Sequence, residues 1–291
     1  MSDQITITSG DLFARIDPHG AELQSLRDAL GREYLWQGDP AWWTGRAPVL
    51  FPIVGALDKG RYRLGAAEYA LPKHGFARTS RFEVIEQSRS RAVFRLAESE
   101  ATRKVYPFAF TLDMAFTVDG MTLTMSATVT NRDEREMPFS FGFHPAFLWP
   151  LPGDGAKDDH RIVFEHDEPA PIRRIGKGNT LLPEAEPTPV SGRELAPRAE
   201  QFVPDALIWD QLASKTLGFG AERGARLNLA FENCPYLGVW QKPGAPYLAL
   251  EPWHGLNDPE GFAGDISDKP GIILLSPEDS RTFHLAVAIS P

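Results

Sequence analysis

The chain has 291 residues, of which 42% are hydrophobic and 24% charged, and its formal net charge is −9. This composition is typical of a soluble globular protein with enough apolar material for a sizeable core. The negative charge argues against a general nucleic-acid or anionic-membrane surface, because binding phosphates needs clustered lysine and arginine.

Short stretches of alternating apolar and polar residues run along most of the chain and predict β-strands. The clearest is MTLTMSATVTN (121–131), where apolar residues alternate with threonine and serine over ten positions. The other strand candidates, in chain order, are ITITSGDLFARIDP, RFEVIEQ, AVFRLAE, FTLDMAFTV, RIVFEHD, ARLNLAFEN, YLGVWQK, YLALEPW and RTFHLAVAI. The apolar run APVLFPIVG leads into DKGRYRLGAAEYALP, which predicts a hairpin.

Evidence for helices is thin. AELQSLRDAL has a partial helical period but favours a strand and a turn, and residues 204–217 are compatible with one short helical turn. Strands and helices do not alternate regularly, which argues against a doubly wound parallel sheet. Residues 153–198 are rich in proline, glycine and charge and predict long connecting loops with one hairpin. A domain boundary there is one interpretation; a single domain over residues 1–291 is the favoured one.

The cysteine count and the N-terminal sequence bear on location. A single cysteine, Cys234, excludes an intrachain disulfide and fits a reducing compartment. The opening MSDQITITSG lacks the basic and apolar regions of a secretory signal, and no stretch is apolar for long enough to cross a bilayer. We therefore expect a cytoplasmic protein with neither a membrane nor a nucleic-acid partner.

Three short motifs inside apolar runs each contain a side chain that can move or hold a proton. They are LPKHGFAR with His74, FSFGFHPAF with His144, and YLALEPWHG with Glu251. Alone, each has an ordinary structural explanation, such as a histidine satisfied within an aromatic cluster or a carboxylate exposed at a strand end. Together, two imidazoles and a carboxylate among aromatic residues suit an acid–base pocket for a small polar ligand. The motifs lie on both sides of residues 153–198, which favours one continuous sandwich.

These motifs resemble the aldose 1-epimerase (galactose mutarotase) family, and most closely its bacterial branch. APVLFPIVG, HGFAR, GFHPAF and LEPW occur in the family's order, and the similarity runs from about Ile5 to the end of the chain. The resemblance implies an all-β fold, a large antiparallel β-sandwich with a sugar-binding groove on its concave face. It also implies a mutarotase that acts on a monosaccharide and needs neither a metal nor an organic cofactor.

The resemblance assigns roles to the three motif residues. Glu251 corresponds to the general base that takes the proton from the anomeric hydroxyl. His144 corresponds to the general acid that protonates the ring oxygen as the C1–O5 bond breaks, and an imidazole with a pKa near neutrality suits that role. His74 corresponds to a residue that orients the sugar by hydrogen bonding.

Four further residues are candidates for binding the sugar. Trp253, next to the LEPW carboxylate, offers an aromatic face on which the C–H bonds of a sugar can stack. Arg46, Arg78 and Asp205 are candidates for holding hydroxyls. Each has an ordinary alternative: an arginine before a strand is usually solvated, Arg78 could equally pair with a carboxylate, and an aspartate after a proline is often a helix N-cap. Asp205 is preferred over Asp210.

Other functions remain open from the sequence. A hexose 6-phosphate 1-epimerase would need a cationic seat, to which Arg46, Arg78 and Lys73 could contribute. A non-catalytic sugar-binding or sensing protein would not need the acid–base pair, and a glycosidase would need a second carboxylate. Two histidines and a carboxylate could bind zinc, but no HExxH motif or closely spaced ligand pair is present. Neither the identity of the sugar nor the oligomeric state follows from the sequence.

Overall fold

The computed structural model describes residues 3–153 and 155–290, in which 22 strands, numbered β1 to β22 along the chain, form five sheets. All pairings between these strands are antiparallel. The largest sheet has nine strands, in the order β15 (Glu194–Leu195), β14 (Arg161–Phe164), β17 (Thr216–Gly220), β18 (Arg226–Glu232), β22 (Ser280–Ser290), β10 (Thr122–Asn131), β9 (Phe110–Asp119), β8 (Arg91–Ala97) and β7 (Glu83–Gln87).

The centre of this sheet has the alternation that the sequence predicted. Along β9 and β10, buried apolar residues alternate with half-exposed polar or small ones, because successive side chains of a strand point to opposite faces. The two strands pair over their full length and β22 pairs along the other side of β10, so their buried faces form one apolar surface. Phe116, Met125 and Leu285 belong to the main core that this surface covers.

The second large sheet lies across this core. Its order is β16 (Leu207–Trp209), β19 (Tyr236–Trp240), β20 (Tyr247–His254), β12 (Phe141–Phe143) and β4 (Val49–Leu50), and β13 (Ala146–Leu148) also pairs with β20. Phe141 of this sheet stacks on Phe283 of the nine-stranded sheet with ring centroids 4.8 Å apart. The two sheets therefore pack as a sandwich.

The six-stranded sheet is covered on both faces. Leu248 and Leu250 of β20 join the main core, whereas Tyr247, Ala249 and Trp253 belong to two smaller apolar clusters on the opposite face. Seven of the eight residues of β20 are buried. Any polar side chain on the second face is thus removed from bulk water.

The remaining elements are short. The smaller sheets are β1 (Ile5–Thr8), β2 (Leu12–Asp17) and β3 (Glu22–Asp28); β5 (Arg61–Leu64) and β6 (Ala67–Ala70); and β11 (Met137–Phe139) with β21 (Ile273–Leu275). The helical segments are α1 (Glu100–Arg103) and the 3-10 turns Asp58–Gly60, Ala77–Thr79, Lys157–Asp159, Ala199–Phe202 and Ile266–Asp268. Over residues 3–153 and 155–290, none of the helices has the length and apolar character needed to cross a bilayer.

The expectation of an all-β antiparallel protein is confirmed. The predicted hairpin is β5–β6, and AELQSLRDAL contains strand β3. The helical turn considered for residues 204–217 is wrong, because this segment contains strand β16, which pairs with β19 at one edge of the six-stranded sheet. The nearest helical turn, Ala199–Phe202, ends before it.

Candidate active site

His144 and Glu251 are brought together by strand pairing. Strands β12 and β13 hold the same register against β20, so His144, in the gap between them, lies opposite Glu251. Pro145 has no N–H to donate, which interrupts the ladder at this point. The imidazole Nε2 of His144 lies 3.1 Å from Oε2 of Glu251.

Both groups of this pair are buried: Glu251 is 1% exposed and His144 8%. Burial raises the pKa of Glu251 well above its usual value and lowers the pKa of His144, because each charged form loses its hydration. Both shifts favour the neutral forms, a protonated carboxyl group beside a neutral imidazole, and Nε2 and Oε2 lie close enough for that proton to pass between the two side chains. A pair that holds one proton can give it to a ligand at one atom and take another back elsewhere.

His74 faces the same space from a tight turn of left-handed backbone. Its φ is +69° and that of Gly75 is +70°. A Cβ on Gly75 would come within 2.2 Å of the carbonyl oxygen of Phe51, so only glycine fits in HGFAR at this point. The backbone N–H of Gly55 donates to Nδ1 of His74 at 3.1 Å. The proton of the neutral ring is therefore on Nε2, which makes His74 a hydrogen-bond donor at that atom.

The surroundings of His74 favour the neutral form of its imidazole ring. Burial lowers its pKa well below the usual value, and the positive charges of Lys73 and Arg78 and the nearby His144 act in the same direction. The two imidazole rings are perpendicular, with centroids 5.8 Å apart. His74 thus presents a neutral N–H donor beside the pair that holds one proton.

These residues line one cavity of about 240 Å³. This is smaller than the roughly 300–1,000 Å³ of pockets for drug-sized ligands, as suits a ligand the size of a monosaccharide. The residues that line it are Trp43, Lys73, His74, Arg78, His144, Ile175, Asp205, Ala206, Trp240, Glu251, Trp253 and Asn257. Six of the seven candidate site residues from the sequence lie in this set, and Arg46 does not.

Three tryptophans provide the apolar part of the wall. Trp43 lies 5.0 Å from the His144 ring and 5.5 Å from Trp240, measured between centroids. Trp253 packs across two glycines of neighbouring strands: a Cβ on Gly142 or Gly238 would come within 2.5 or 2.4 Å of its ring. Aromatic faces next to polar groups can take the C–H and O–H sides of a sugar at the same time.

Asp205 reaches the cavity from a constrained loop. Its φ of +118° is one that residues other than glycine rarely adopt. The guanidinium of Arg174 holds the loop, since its Nη1 donates to the carbonyls of Gln201, Asp205 and Ala206 and its Nε to Glu186. Asp205 follows the turn Ala199–Phe202 and is not the N-cap of a helix. Asp210 is not among the residues that line the cavity.

Arg46 has a local role. Its Nη2 donates to the carbonyl of Gln37 at 2.7 Å, and its backbone N–H donates to the carboxylate of Glu22 at the same distance. The guanidinium therefore ties together two parts of the connection between β3 and β4. Trp43, three residues before Arg46, lines the cavity, and Arg46 is not among the lining residues.

Several lining residues were not candidates in the sequence. The sequence does contain a signal for Trp240. It lies two residues after Gly238 in the strand YLGVW, so the side chains at these two positions point to the same face of the sheet, and Gly238 pairs with Glu251. Trp43 and Asn257 lie in loops and have no comparable pattern. No group of three His, Cys, Asp or Glu side chains within the described ranges has the geometry to hold a metal ion.

Comparison with known proteins gives consistent matches. A sequence model of the family described as aldose 1-epimerase matches residues 3–203. The plasmid-encoded and chromosomal LacX proteins of Lactococcus lactis subsp. lactis are each 31% identical to this chain over 280 residues, which is 93% of this chain and 94% of the relative.

Solved structures resemble this fold over nearly its whole length. A galactose mutarotase-like protein from Lactobacillus casei ATCC 334 is 33% identical, with a TM-score of 0.91 over 99% of this chain and 100% of that one. A galactose mutarotase related enzyme from Lactobacillus acidophilus is 30% identical, with a TM-score of 0.90 over 99% and 97%.

Proposed function

The chain belongs to the aldose 1-epimerase family, and from this premise we propose that it interconverts the α and β anomers of an unphosphorylated aldose by opening and reclosing the sugar ring. The observation that carries the proposal is the contact of 3.1 Å between Nε2 of His144 and Oε2 of Glu251 at the wall of a cavity of monosaccharide size. The anomeric hydroxyl O1 and the ring oxygen O5 are bonded to the same carbon. Two adjacent proton-transfer groups can therefore serve both oxygens at once.

The proposed reaction starts from the one proton that the pair holds. When it lies on His144, Glu251 is a carboxylate that takes the O1 proton, while the imidazolium protonates O5 and the C1–O5 bond breaks. The open-chain aldehyde then stands beside a protonated Glu251 and a neutral His144, the forms that burial favours. After rotation about C1–C2, the same transfers run backwards and close the ring on the other face. The number of protons is conserved, and no other reactant is needed.

His74 and the aromatic wall have supporting roles in this proposal. The Nε2–H of His74 donates to a sugar oxygen near the reacting carbon, and it does so without being able to compete as a base. Trp43, Trp240 and Trp253 pack against the sugar and exclude water, which strengthens the hydrogen bonds to the reacting oxygens. General acid–base steps of this kind each contribute typically about 10²–10⁴-fold.

The test is Glu251→Gln, which keeps the shape of the side chain and removes its ability to accept the proton. We expect nearly all acceleration of mutarotation to be lost, measured by polarimetry or exchange NMR on glucose and galactose. The thermal transition and part of the sugar affinity, measured by isothermal titration, should remain. Near-normal turnover in this variant would rule out the assignment. Sugar affinity in the wild type without any acceleration of anomer exchange would favour a non-catalytic sugar-binding protein.

A second candidate substrate is an aldose that carries a phosphate, and one observation favours it. Lys73 and Arg78 both line the cavity with exposed side chains, and within residues 3–153 and 155–290 neither has a hydrogen-bond or ion-pair partner. Two unpaired cations at one cavity of an otherwise acidic protein suit an anionic ligand.

Turnover of glucose and galactose, compared with turnover of their 6-phosphates, decides between the two substrates. If the phosphate is recognised, the double variant K73A/R78A should raise KM for the 6-phosphates and leave KM for the neutral sugars nearly unchanged. Equal effects on both substrates would exclude a phosphate seat at these residues.

A further inference from the structure

A buried ion pair lies just outside the cavity. Nζ of Lys269 is 2.5 Å from Oδ1 of Asp258, and the two side chains are 1% and 3% exposed. Within the ranges that the structure describes, it is the only pair between a lysine or arginine and a carboxylate in which both side chains are below 5% exposure. Burying both partners costs hydration, so an ion pair of this kind does not by itself indicate a gain in stability. The position of the pair offers another explanation.

The pair holds a segment, residues 55–58, that lies behind two of the residues lining the cavity. The other carboxylate oxygen of Asp258, Oδ2, accepts the backbone N–H of Asp58 at 2.8 Å. The backbone N–H of Asp258 donates to the carbonyl of Ala56 at 2.9 Å. Residues 55–58 are thus tied to Asp258 at two points, and Lys269 holds the carboxylate that makes one of them.

This segment in turn controls two side chains of the cavity. Gly55 donates its N–H to Nδ1 of His74 and accepts the N–H of His74 on its carbonyl at 2.7 Å. Asn257, which lines the cavity next to Asp258, packs directly on Gly55: a Cβ there would lie 2.2 Å from Oδ1 of Asn257. A shift of residues 55–58 would therefore move both His74 and Asn257.

We propose that the Asp258–Lys269 ion pair is a positioning element of the acid–base cavity, which holds residues 55–58 so that His74 remains an Nε2–H donor and Asn257 keeps its place. This proposal rests on the proposed function, in which His74 donates to a sugar oxygen. Neither Asp258 nor Lys269 touches the substrate in this scheme. They act through Gly55, whose N–H selects the tautomer of His74.

The test is Lys269→Met, which keeps the length of the side chain and removes its charge. We expect kcat for anomer exchange to fall about 10- to 100-fold, since small displacements of positioned groups cost that much. In ¹⁵N NMR of the imidazole rings, the His74 signals should move away from a single Nε2–H tautomer. Lys269→Arg, which keeps the charge, should restore both readouts in part.

The control is Val287→Ala, a loss of buried volume on β22 at a distance from the cavity. It should lower stability and leave kcat and the His74 signals unchanged. If Lys269→Met lowers only the thermal transition, as Val287→Ala does, the pair is merely structural and the proposal is wrong. Should Lys269→Met fail to fold, Asp258→Asn, which can still accept the N–H of Asp58, is judged by the same criteria. The NMR readout needs no turnover, so it distinguishes failure of this proposal from failure of the proposed function.

Discussion

The nine-stranded sheet has one face in the core and one face toward solvent, whereas the six-stranded sheet is covered on both faces. On β10 of the first sheet, half-exposed polar residues alternate with buried apolar ones, and some of their hydroxyls also pair with side chains of β22, as Thr128 does with Thr282 at 3.0 Å. On β20 of the second sheet, seven consecutive residues are buried, and Glu251 is the only ionisable carboxylate among them. Burying a polar group in that position costs free energy unless the group is paired, so its presence there indicates a function.

The comparison separates the face that holds the main core from the face that holds the proposed acid–base pair. His144 and Glu251 occupy the covered face that the main core does not use, opposite each other across two paired strands. Under the proposed function, stability comes chiefly from the face that the two large sheets share, and chemistry from the other. The two properties should therefore respond to different substitutions.

The largest expected effect is on chemistry, from His144→Gln. Glutamine can hydrogen-bond Glu251 but cannot transfer a proton at neutral pH, so kcat/KM for mutarotation should fall about 10²–10⁴-fold. The thermal transition should change little or rise, because burying a titratable imidazole has a cost. Exchange NMR measures the rate and calorimetry the stability. A stable variant with full activity would mean that the covered face does not carry the chemistry.

The opposite result is expected from Phe116→Ala in the nine-stranded sheet. Phe116 is 1% exposed and packs edge-to-face on Phe94. Its truncation should lower the free energy of unfolding by about 3–5 kcal/mol in urea titrations, from lost burial and a cavity. The rate of mutarotation per folded molecule should stay the same. A large loss of that rate would show that the two faces are coupled.

The sequence predicts the nine-stranded sheet better than the six-stranded one, because only the nine-stranded sheet has a face toward solvent. Strands β9, β10 and β22 alternate because one face is wet, and this period is visible without any tertiary information. Strand β16 has only three residues, all buried, and exists because it pairs with β19. A short buried run has no period, which is why residues 204–217 suggested a helical turn.

The site was predictable where a motif holds a titratable side chain beside glycine, proline or tryptophan. His74, His144 and Glu251 stand out in this way, and the structure places them around one cavity. Trp43 and Asn257 come from loops whose direction is set by long-range contacts, such as the packing of Asn257 on Gly55. For the same reason the sequence did not indicate that Arg46 would turn toward Gln37. The extent of a single domain over residues 1–291 stays a prediction.

A smaller effect concerns acid stability at the covered face. Burial lowers the pKa of His74 well below 6.5, so below that pH the unfolded chain binds a proton at this residue that the folded protein does not. The stability that His74 contributes is therefore present above about pH 6.5 and is lost as the pH falls, at about 1.4 kcal/mol per pH unit. His74→Asn removes this titration, and asparagine tolerates the positive φ.

Urea titrations of the wild type and of His74→Asn between pH 7 and pH 5 measure this contribution. As the pH falls, the free energy of unfolding of the wild type should decrease more than that of His74→Asn. All other titrating groups, including His144, are present in both. Parallel stability curves would mean that His74 takes up a proton in the folded state as easily as in the unfolded chain.

The smallest effects separate the two faces of a single strand. Thr124 and Val129 both lie in β10, but Thr124 is on the wet face and Val129 is fully buried. Threonine and valine have nearly the same shape, so Thr124→Val and Val129→Thr make opposite chemical changes with little change in volume. Thr124→Val should alter the free energy of unfolding by no more than about 0.5 kcal/mol, because water satisfies the hydroxyl that it removes. Val129→Thr should lower the free energy of unfolding by about 1–3 kcal/mol, because its hydroxyl enters the core without a hydrogen-bond partner.

Neither substitution should change the rate of mutarotation. Similar costs for both would mean that the outer face of β10 is covered in solution, and the contrast between a wet sheet and a doubly covered sheet would then fail.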